Sequence, residues 1–335
     1  MGEKIARAKT GAECYDDRYK NKIDNYLNDN KDLGLRGYVN FIHSSSYSTR
    51  FAYLNYVTNF LRYTGKRKEE LNLDDYTEYI CYIEDKTSSF QIAVYSALKK
   101  LSSYLVASGI SATDYMKFVP RPKFAESQKT KDKRETAYLN EKELHKYIEN
   151  VNEGVGNDIA KSKQEKWRNR DQLMIQIFLT TGMRCSALYR LDIDSLDLEN
   201  GTLQTIDKGG GIQSHSLAPS VVELAREWLA EREKKGVPEY EKALFISNRL
   251  TRMHVNSIGK VVDKYAKDIK NGRFSPHKLR ATYGTHLYNG TKDVYLVQQC
   301  MGHSSPKTSE LYIRGQKNVS REKAAGIMEG LLKIQ

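Results

Sequence analysis

Cysteine is scarce in this chain: Cys14, Cys81, Cys185 and Cys300 stand far apart among 335 residues, with no CxxC pair. That pattern argues against a disulfide framework and against a thiolate zinc site, and it suits free thiols in a reducing cytoplasm. Proline is also rare, with 6 residues, two of them in Pro120-Arg121-Pro122. Long apolar runs are missing; none approaches the roughly 18 residues of a membrane span. The opening Met1-Gly2-Glu3-Lys4-Ile5-Ala6 lacks the apolar stretch of a secretory signal. Gly209-Gly210-Gly211 is not followed by Lys-Ser/Thr, so it is no Walker loop. There is no internal repeat. From these absences a soluble, cytoplasmic protein with no membrane association is expected.

What is present is positive charge and tyrosine. Lys and Arg number 54 against 42 Asp and Glu, a formal charge of +12, which favours a polyanionic partner, nucleic acid first. Tyrosine outnumbers phenylalanine 23 to 9. A phenol offers apolar area and a hydroxyl that can reach a phosphate or a backbone group. The length allows two domains with separate cores.

The spacing of apolar residues predicts a fold that is mostly α with a small β-sheet. A first helix is expected over about Asp16 to Leu27. A second runs from Tyr47 to Tyr63, with Phe51, Leu54, Val57, Phe60 and Leu61 on one face behind a capping serine cluster. Leu73-Asp74-Asp75 opens a third, to about Glu84. Ser88 or Ser89 caps a fourth, with Val94, Leu98, Leu101 and Leu105 inward and Gly109 at its end. Residues 1–118 therefore read as a helical bundle, with Arg50, Lys99 and Lys100 near helix ends or on polar faces, where phosphates bind well. Residues 119–136, with Lys129-Thr130-Lys131-Asp132-Lys133-Arg134, read as a basic linker. Residues 137–335 form the second domain. Asn140 and Glu143 cap its first helix, Asp171 to Thr180 is a buried helix, and Arg184 follows at the turn into a short one. Leu203–Ile206 and His215–Leu217 read as strands joined through Lys208-Gly209-Gly210-Gly211. Val221 to Lys234 and most of the chain from Pro276 onward are helical. The tail, Ser320 to Leu332, carries an amphipathic pattern suited to docking.

The chemistry sits in separated segments: Thr181-Gly182-Met183-Arg184, Asp207-Lys208-Gly209, His277-Lys278-Leu279-Arg280, Gly302-His303-Ser304 and Tyr312. Metal-free cleavage of a phosphodiester needs both non-bridging oxygens neutralised, which two permanently charged guanidinium forks do well. A phenol can attack and keep the bond energy in a reversible phosphodiester. Its free pKa is about 10, so only roughly one in a thousand is ionised at pH 7, and a base or positive field must help. Histidine can take that proton or donate to the phosphate. A lysine on a hairpin can protonate the departing oxygen. No carboxylate cluster accompanies the histidines, which disfavours a metal nuclease. Tyr283, Tyr288 and Tyr295 are rival phenols that read as packing or rim residues; His215, His254 and His286 read as structural.

In order and spacing these segments resemble the tyrosine recombinase (phage integrase) family, over roughly residues 137–320. Thr181-Gly182-Met183-Arg184 resembles the first-arginine motif, His277-Lys278-Leu279-Arg280 the HxxR motif, and Gly302-His303 the GH box. Tyr312 falls where the family places its nucleophile, and Lys208 matches the hairpin lysine. The helical first domain and the linker resemble the family's core-binding domain. The resemblance implies that Arg184 and Arg280 clamp the scissile phosphate of double-stranded DNA. Lys208 is then the general acid, His277 a phosphate contact that takes the tyrosine proton, and His303 a further donor. Tyr312 attacks to form a 3′-phosphotyrosyl link without metal, ATP or another cofactor. It also implies a homo-oligomer, a synaptic tetramer joined through the C-terminal helix. Only a short basic segment precedes the first helix, which suits a compact two-domain enzyme acting in Xer-like resolution, inversion or mobile-element integration. One position departs from the pattern: many members carry an acidic residue three places after the first arginine, and here Ala187 stands there. Two other readings remain: a DNA-binding protein of this fold without catalysis, and a topoisomerase-like or resolvase-like strand rejoiner.

Overall fold

The structure, a computed structural model, describes residues 10–123, 137–206 and 212–302. The chain divides into two compact units, Glu13–Gln128 and a larger one of Met1–Ala12 with Lys129–Gln335.

The α-helices described for the smaller unit are α1 (Gly11–Asp29), whose first two residues belong to the larger unit, α2 (Arg36–Phe41), α3 (Tyr47–Thr64), α4 (Leu73–Tyr82) and α5 (Ser88–Ala107). Helix α3 starts where the Ser46 hydroxyl accepts the Thr49 N–H, and stops at left-handed Gly65. It buries Leu54, Val57, Phe60 and Leu61 of the stripe expected from the sequence, while Phe51 is half-buried against the same core. Helix α4 begins one residue after Asn72, whose side chain forms a reciprocal box with Asp75. Helix α5 is capped by Thr87 rather than Ser88 or Ser89. All three residues carry hydroxyls, and the one with extended backbone takes the role. Much of the tyrosine surplus is here. Tyr38 and Tyr76 are fully enclosed and Tyr95 nearly so. The Tyr38 hydroxyl donates to Ala97 O and that of Tyr95 to Val119 O, so buried phenols bind backbone as well as fill space. Arg50 spends its guanidinium on Ser45 O and His43 O and lies over the Tyr47 ring.

The larger unit contains α6 (Glu141–Glu153), α7 (Asp158–Glu165), α8 (Arg168–Thr181), α9 (Cys185–Arg190), α10 (Pro219–Lys234), α11 (Val255–Lys264), α12 (Pro276–Thr291) and α13 (Val294–Met301). Three antiparallel strands, β1 (Leu196–Asp197), β2 (Thr202–Ile206) and β3 (Ile212–Ser216), lie in sequence order. Leu203 pairs with His215 and Ile206 with Ile212, so residues 207–211 connect the two longer strands. Asn140 caps α6 with Glu143 as expected. The two-residue β1 and helices α7 and α11 are too short to stand out in the sequence, although α11 buries Ile258, Val261 and Val262 on one face.

Helix α8 is central. It packs against α6, α10 and α12, and it buries Leu173, Met174, Ile175, Ile177 and Phe178. An irregular segment, residues 243–246, runs through the same core and is held by side-chain donors. Arg232 Nε reaches Ala243 O at 3.0 Å, Trp228 Nε1 reaches Leu244 O at 2.9 Å, and Arg170 reaches Ile246 O at 3.0 Å. Buried carbonyls outside a regular ladder need such partners. Arg170 also pairs with fully buried Asp171, whose second oxygen accepts from Lys264 at 3.0 Å and Tyr265 at 2.9 Å. Removing one side of a buried pair strands the other. Asp171→Ala should therefore cost about 3–5 kcal/mol in urea unfolding, and a loss below about 1 kcal/mol would contradict this reading of the network.

Candidate active site

The first-arginine segment is built by the end of α8. Gly182 closes that helix in the left-handed region, φ 61°, with its N–H on Phe178 O. The Thr181 hydroxyl donates to Ile177 O and accepts the Met183 N–H, which fixes the turn. Glycine is required twice over. A Cβ at Gly182 would sit 2.2 Å from Cδ1 of Tyr283, and the left-handed backbone already disfavours a side chain. Arg184 follows in extended conformation as the N-cap residue of α9.

The HxxR segment opens α12. Pro276 takes the first helical position, where its missing N–H costs nothing. His277 and Arg280, three apart, share one face of the helix. His277 is exposed and Arg280 is buried, 7% accessible. Arg280 donates to Gly182 O at 2.6 Å and to Met301 O at 2.5 Å. One guanidinium thus joins the α8–α9 turn, the start of α12 and the end of α13. Helix α13 stops at left-handed Gly302, next to His303 in sequence. Further along α12, Thr282 accepts the Leu139 N–H and His286 Nε2 meets Leu139 O at 2.8 Å. His286 is structural, as expected.

Arg184, His277 and Arg280 are thereby brought together. The His277 imidazole is held below its ordinary pKa, first by desolvation in its surroundings and then by the positive charges of Arg280 and Arg184. Although the residue stays exposed, its ring is driven toward the neutral form, which can accept a proton. Lys208, His303 and Tyr312 lie outside the described residues, as does the C-terminal helix expected over Ser320 to Leu332. The first of these belongs to the segment joining β2 and β3.

The other candidates fall away for physical reasons. Tyr283 packs against Gly182, and burial, followed by the neighbouring Cys300 thiol, pushes its phenol up to about 12. It is a poorer phenolate source than a free tyrosine. Tyr288 is buried with Val297 and Met301, and Tyr295 is exposed. The His254 ring caps α11 through Asn256 N, and His215 pairs across the sheet with Thr205 Oγ1 at 3.2 Å. Ala187 is buried at 4% accessibility, so α9 presents a methyl group at that position. All four cysteines are free, and burial pushes the Cys185 thiol up to about 12, which disfavours its thiolate. A cleft of about 350 Å³ adjoins these segments, lined by Thr180, Ser214, His215, Tyr283, Gln299 and Cys300 among others. The sequence reading missed Arg170, Arg232 and Arg252, whose buried guanidinium groups bind carbonyls in this unit. Nothing in their local sequence separates them from surface charges, because the carbonyls they bind come from other segments.

Two outcomes follow from this geometry. In the free protein His277 should titrate by NMR below the ordinary value of about 6.5, and Arg184→Gln should move it upward. The unfolded chain then binds that proton more tightly, so this group's contribution to stability falls as pH drops below about 6.5. A titration at or above the ordinary value would contradict the arrangement. Gly182→Ala should cost at least about 1 kcal/mol in urea unfolding, and an unchanged midpoint would contradict the contact with Tyr283.

Residues 137–318 match the Phage integrase family. The chain is 34% identical over 170 residues to Tyrosine recombinase XerS of Streptococcus pyogenes serotype M5 (strain Manfredo), covering 50% of this chain and 48% of that protein. It is 30% identical over 174 residues to Tyrosine recombinase XerC of Corynebacterium glutamicum, covering 52% and 53% respectively. The chain spans about half the length of these curated relatives. Its fold is similar to the crystal structure of XerH site-specific recombinase bound to palindromic difH substrate in a post-cleavage complex. That match has a TM-score of 0.66 and 25% identity, over 85% of this chain and 81% of that one. No helix among the described residues is long and apolar enough to cross a membrane. A family match over residues 137–318, more than half of the sequence, establishes that this chain belongs to the phage integrase family.

Proposed function

We propose that the protein is a site-specific tyrosine recombinase that cleaves and rejoins double-stranded DNA through a 3′-phosphotyrosyl intermediate. The observation that carries this reading is the Arg280 bond to Gly182 O, which sets the two arginine motifs side by side with His277. Arg184 and Arg280 grip the non-bridging oxygens of the scissile phosphate, and the charge that builds in the transition state strengthens that grip. Neutral His277 takes the proton of Tyr312 as its oxygen attacks phosphorus. The bond from phosphorus to the 5′ oxygen breaks, and Lys208 gives that oxygen its proton. His303 adds a donor to the phosphate. The reverse attack by a 5′ hydroxyl of the partner strand restores a DNA phosphodiester and frees the phenol. Bond energy stays in the phosphotyrosine throughout, so the cycle draws on no nucleotide cofactor.

The domains follow the same reading. Residues 1–118 are a core-binding domain, 119–136 a basic linker and 137–335 the catalytic domain. Helices α1 and α3 bring Arg18, Lys20, Lys22 and Arg50 around Tyr19, Tyr47 and Phe51. Desolvation and the charge of Arg18 lower the Lys22 pKa, the state of a cation crowded by its own sign and suited to a phosphate. The amphipathic pattern of Ser320 to Leu332 suits docking on a neighbouring protomer, which would couple a synaptic tetramer. The cytoplasm is the compartment, and resolution, inversion or mobile-element integration the class of task.

The test is covalent capture on nicked suicide duplexes drawn from DNA flanking the gene, with EDTA present. The expected result is a protein adduct on the 3′ phosphate that maps to Tyr312 and vanishes in Tyr312→Phe while DNA binding persists. An adduct that survives in Tyr312→Phe would move the nucleophile elsewhere. Tight binding without any adduct would favour a non-catalytic role. Binding should weaken steeply with salt, because each neutralised phosphate releases counterions, and a flat response would contradict multiple phosphate contacts.

A further inference from the structure

Helix α9, which begins at Arg184, is only six residues long. A helix this short has little stability of its own, so tertiary anchors must set its position. Its front is fixed by the Gly182 turn and Arg280. Its back is held by a residue far away in sequence. Arg252, with 9% side-chain exposure, donates through one terminal nitrogen to Tyr189 O at 2.9 Å and Leu191 O at 3.1 Å. Its other terminal nitrogen binds Asp192 Oδ1. These carbonyls lie at the C-terminal end of α9, where the helix lacks internal donors and a positive charge is favoured.

The anchor is itself anchored. The Arg252 backbone N–H donates to Glu241 Oε2 at 2.8 Å, and Glu241 Oε1 accepts the Ala243 N–H at 2.9 Å. Ile193 N–H meets Lys242 O and Leu244 N–H meets Leu191 O, so the exit of α9 is tied to the 242–244 segment. Asp192 Oδ2 accepts the Gly11 N–H at 3.0 Å. Gly11 lies so close to the end of α9 that a Cβ there would stand 2.1 Å from Arg190 O. The exit of the helix is therefore built to one position. Its start, six residues earlier, is only about 9 Å away along the axis.

We propose that Arg252, oriented by Asp192, is a positioning residue for DNA cleavage: it fixes α9 from behind and so aims Arg184 at the scissile phosphate. This rests on the recombinase reading of Arg184. Arg252 never touches DNA in this role. Lysine cannot replace it, because an ammonium lacks the planar fork that spans two carbonyls and a carboxylate. A shift of about 1 Å at a phosphate clamp can cost about a hundredfold in rate.

The experiment measures single-turnover cleavage on the suicide duplex that captures the parent protein, made with an activated 5′-bridging phosphorothiolate so that slow variants stay measurable. Arg252→Lys, Arg184→Lys and the double variant are compared at saturating protein, below their measured melting midpoints. Arg252→Lys should lose roughly 10- to 100-fold in rate, with DNA affinity within about threefold of the parent. In the Arg184→Lys background the same change should cost less than about threefold, because its effect runs through Arg184. Asp192→Asn keeps the shape and removes the charge. It should show a smaller loss with the same dependence on Arg184, and it carries the test if Arg252→Lys does not fold. Parental rates in the folded variants, or losses that multiply undiminished with Arg184→Lys, would overturn the proposal. A parental rate in Arg184→Lys alone would instead remove Arg184 from the site and the recombinase reading with it.

Discussion

One guanidinium organises the larger unit. Arg280 lies within α12 and binds the carbonyls of Gly182 and Met301, which are far from it and from each other in sequence. A carbonyl at the end of a helix has no internal partner, and a buried cation that meets two of them satisfies both sides. The consequence is a fixed meeting point for three helix ends. Arg184 leaves from one, His277 from another, and the third leads to His303 in sequence. The same residue that organises these segments is the one proposed to bind the phosphate, so assembly and chemistry are coupled at a single side chain.

The positive field has its own consequence. Desolvation makes the protonated form of His277 unfavourable, and the charges of Arg280 and Arg184 add to that. The arginine pair proposed as a phosphate clamp and the imidazole held toward its neutral form thus belong to one arrangement rather than standing as separate features. The same unit holds several further arginines by backbone carbonyls. Arg170, Arg232 and Arg252 bind the carbonyls of Ile246, Ala243, and Tyr189 with Leu191, which supplements the few isolated backbone bridges of the 243–246 segment. The basic composition therefore serves the interior of the larger unit as well as its surface. In the smaller unit, tyrosine does comparable work, with hydroxyls on Ala97 O and Val119 O.

Much of this was legible in the sequence, and the reasons for the rest are physical. Helices α3 and α4 and the start of α6 announce themselves through apolar periodicity and local capping, both read over a few neighbouring residues. Gly182 and the order of motifs mark the site for the same reason: each motif is local. The Thr87 cap was misplaced by one residue because backbone conformation, not hydroxyl content, selects among Thr87, Ser88 and Ser89. Helix α11, with Ile258, Val261 and Val262 buried, was missed because its apolar stripe spans too few residues to stand out. The roles of Arg252 and Asp171 were invisible, since their partners are set only when distant segments meet. Lys208, His303 and Tyr312 rest on their motifs alone, outside the described residues.

The central claim is that Arg280 holds the α8–α9 turn and the end of α13 in place. Amide hydrogen exchange of the free protein with Arg280→Lys tests it directly. The account predicts faster exchange in two segments distant in sequence, 182–190 and 294–302, while the helices of the smaller unit keep their protection. Unchanged protection in both segments would contradict it, and would leave Arg280 as a phosphate ligand with no organising role.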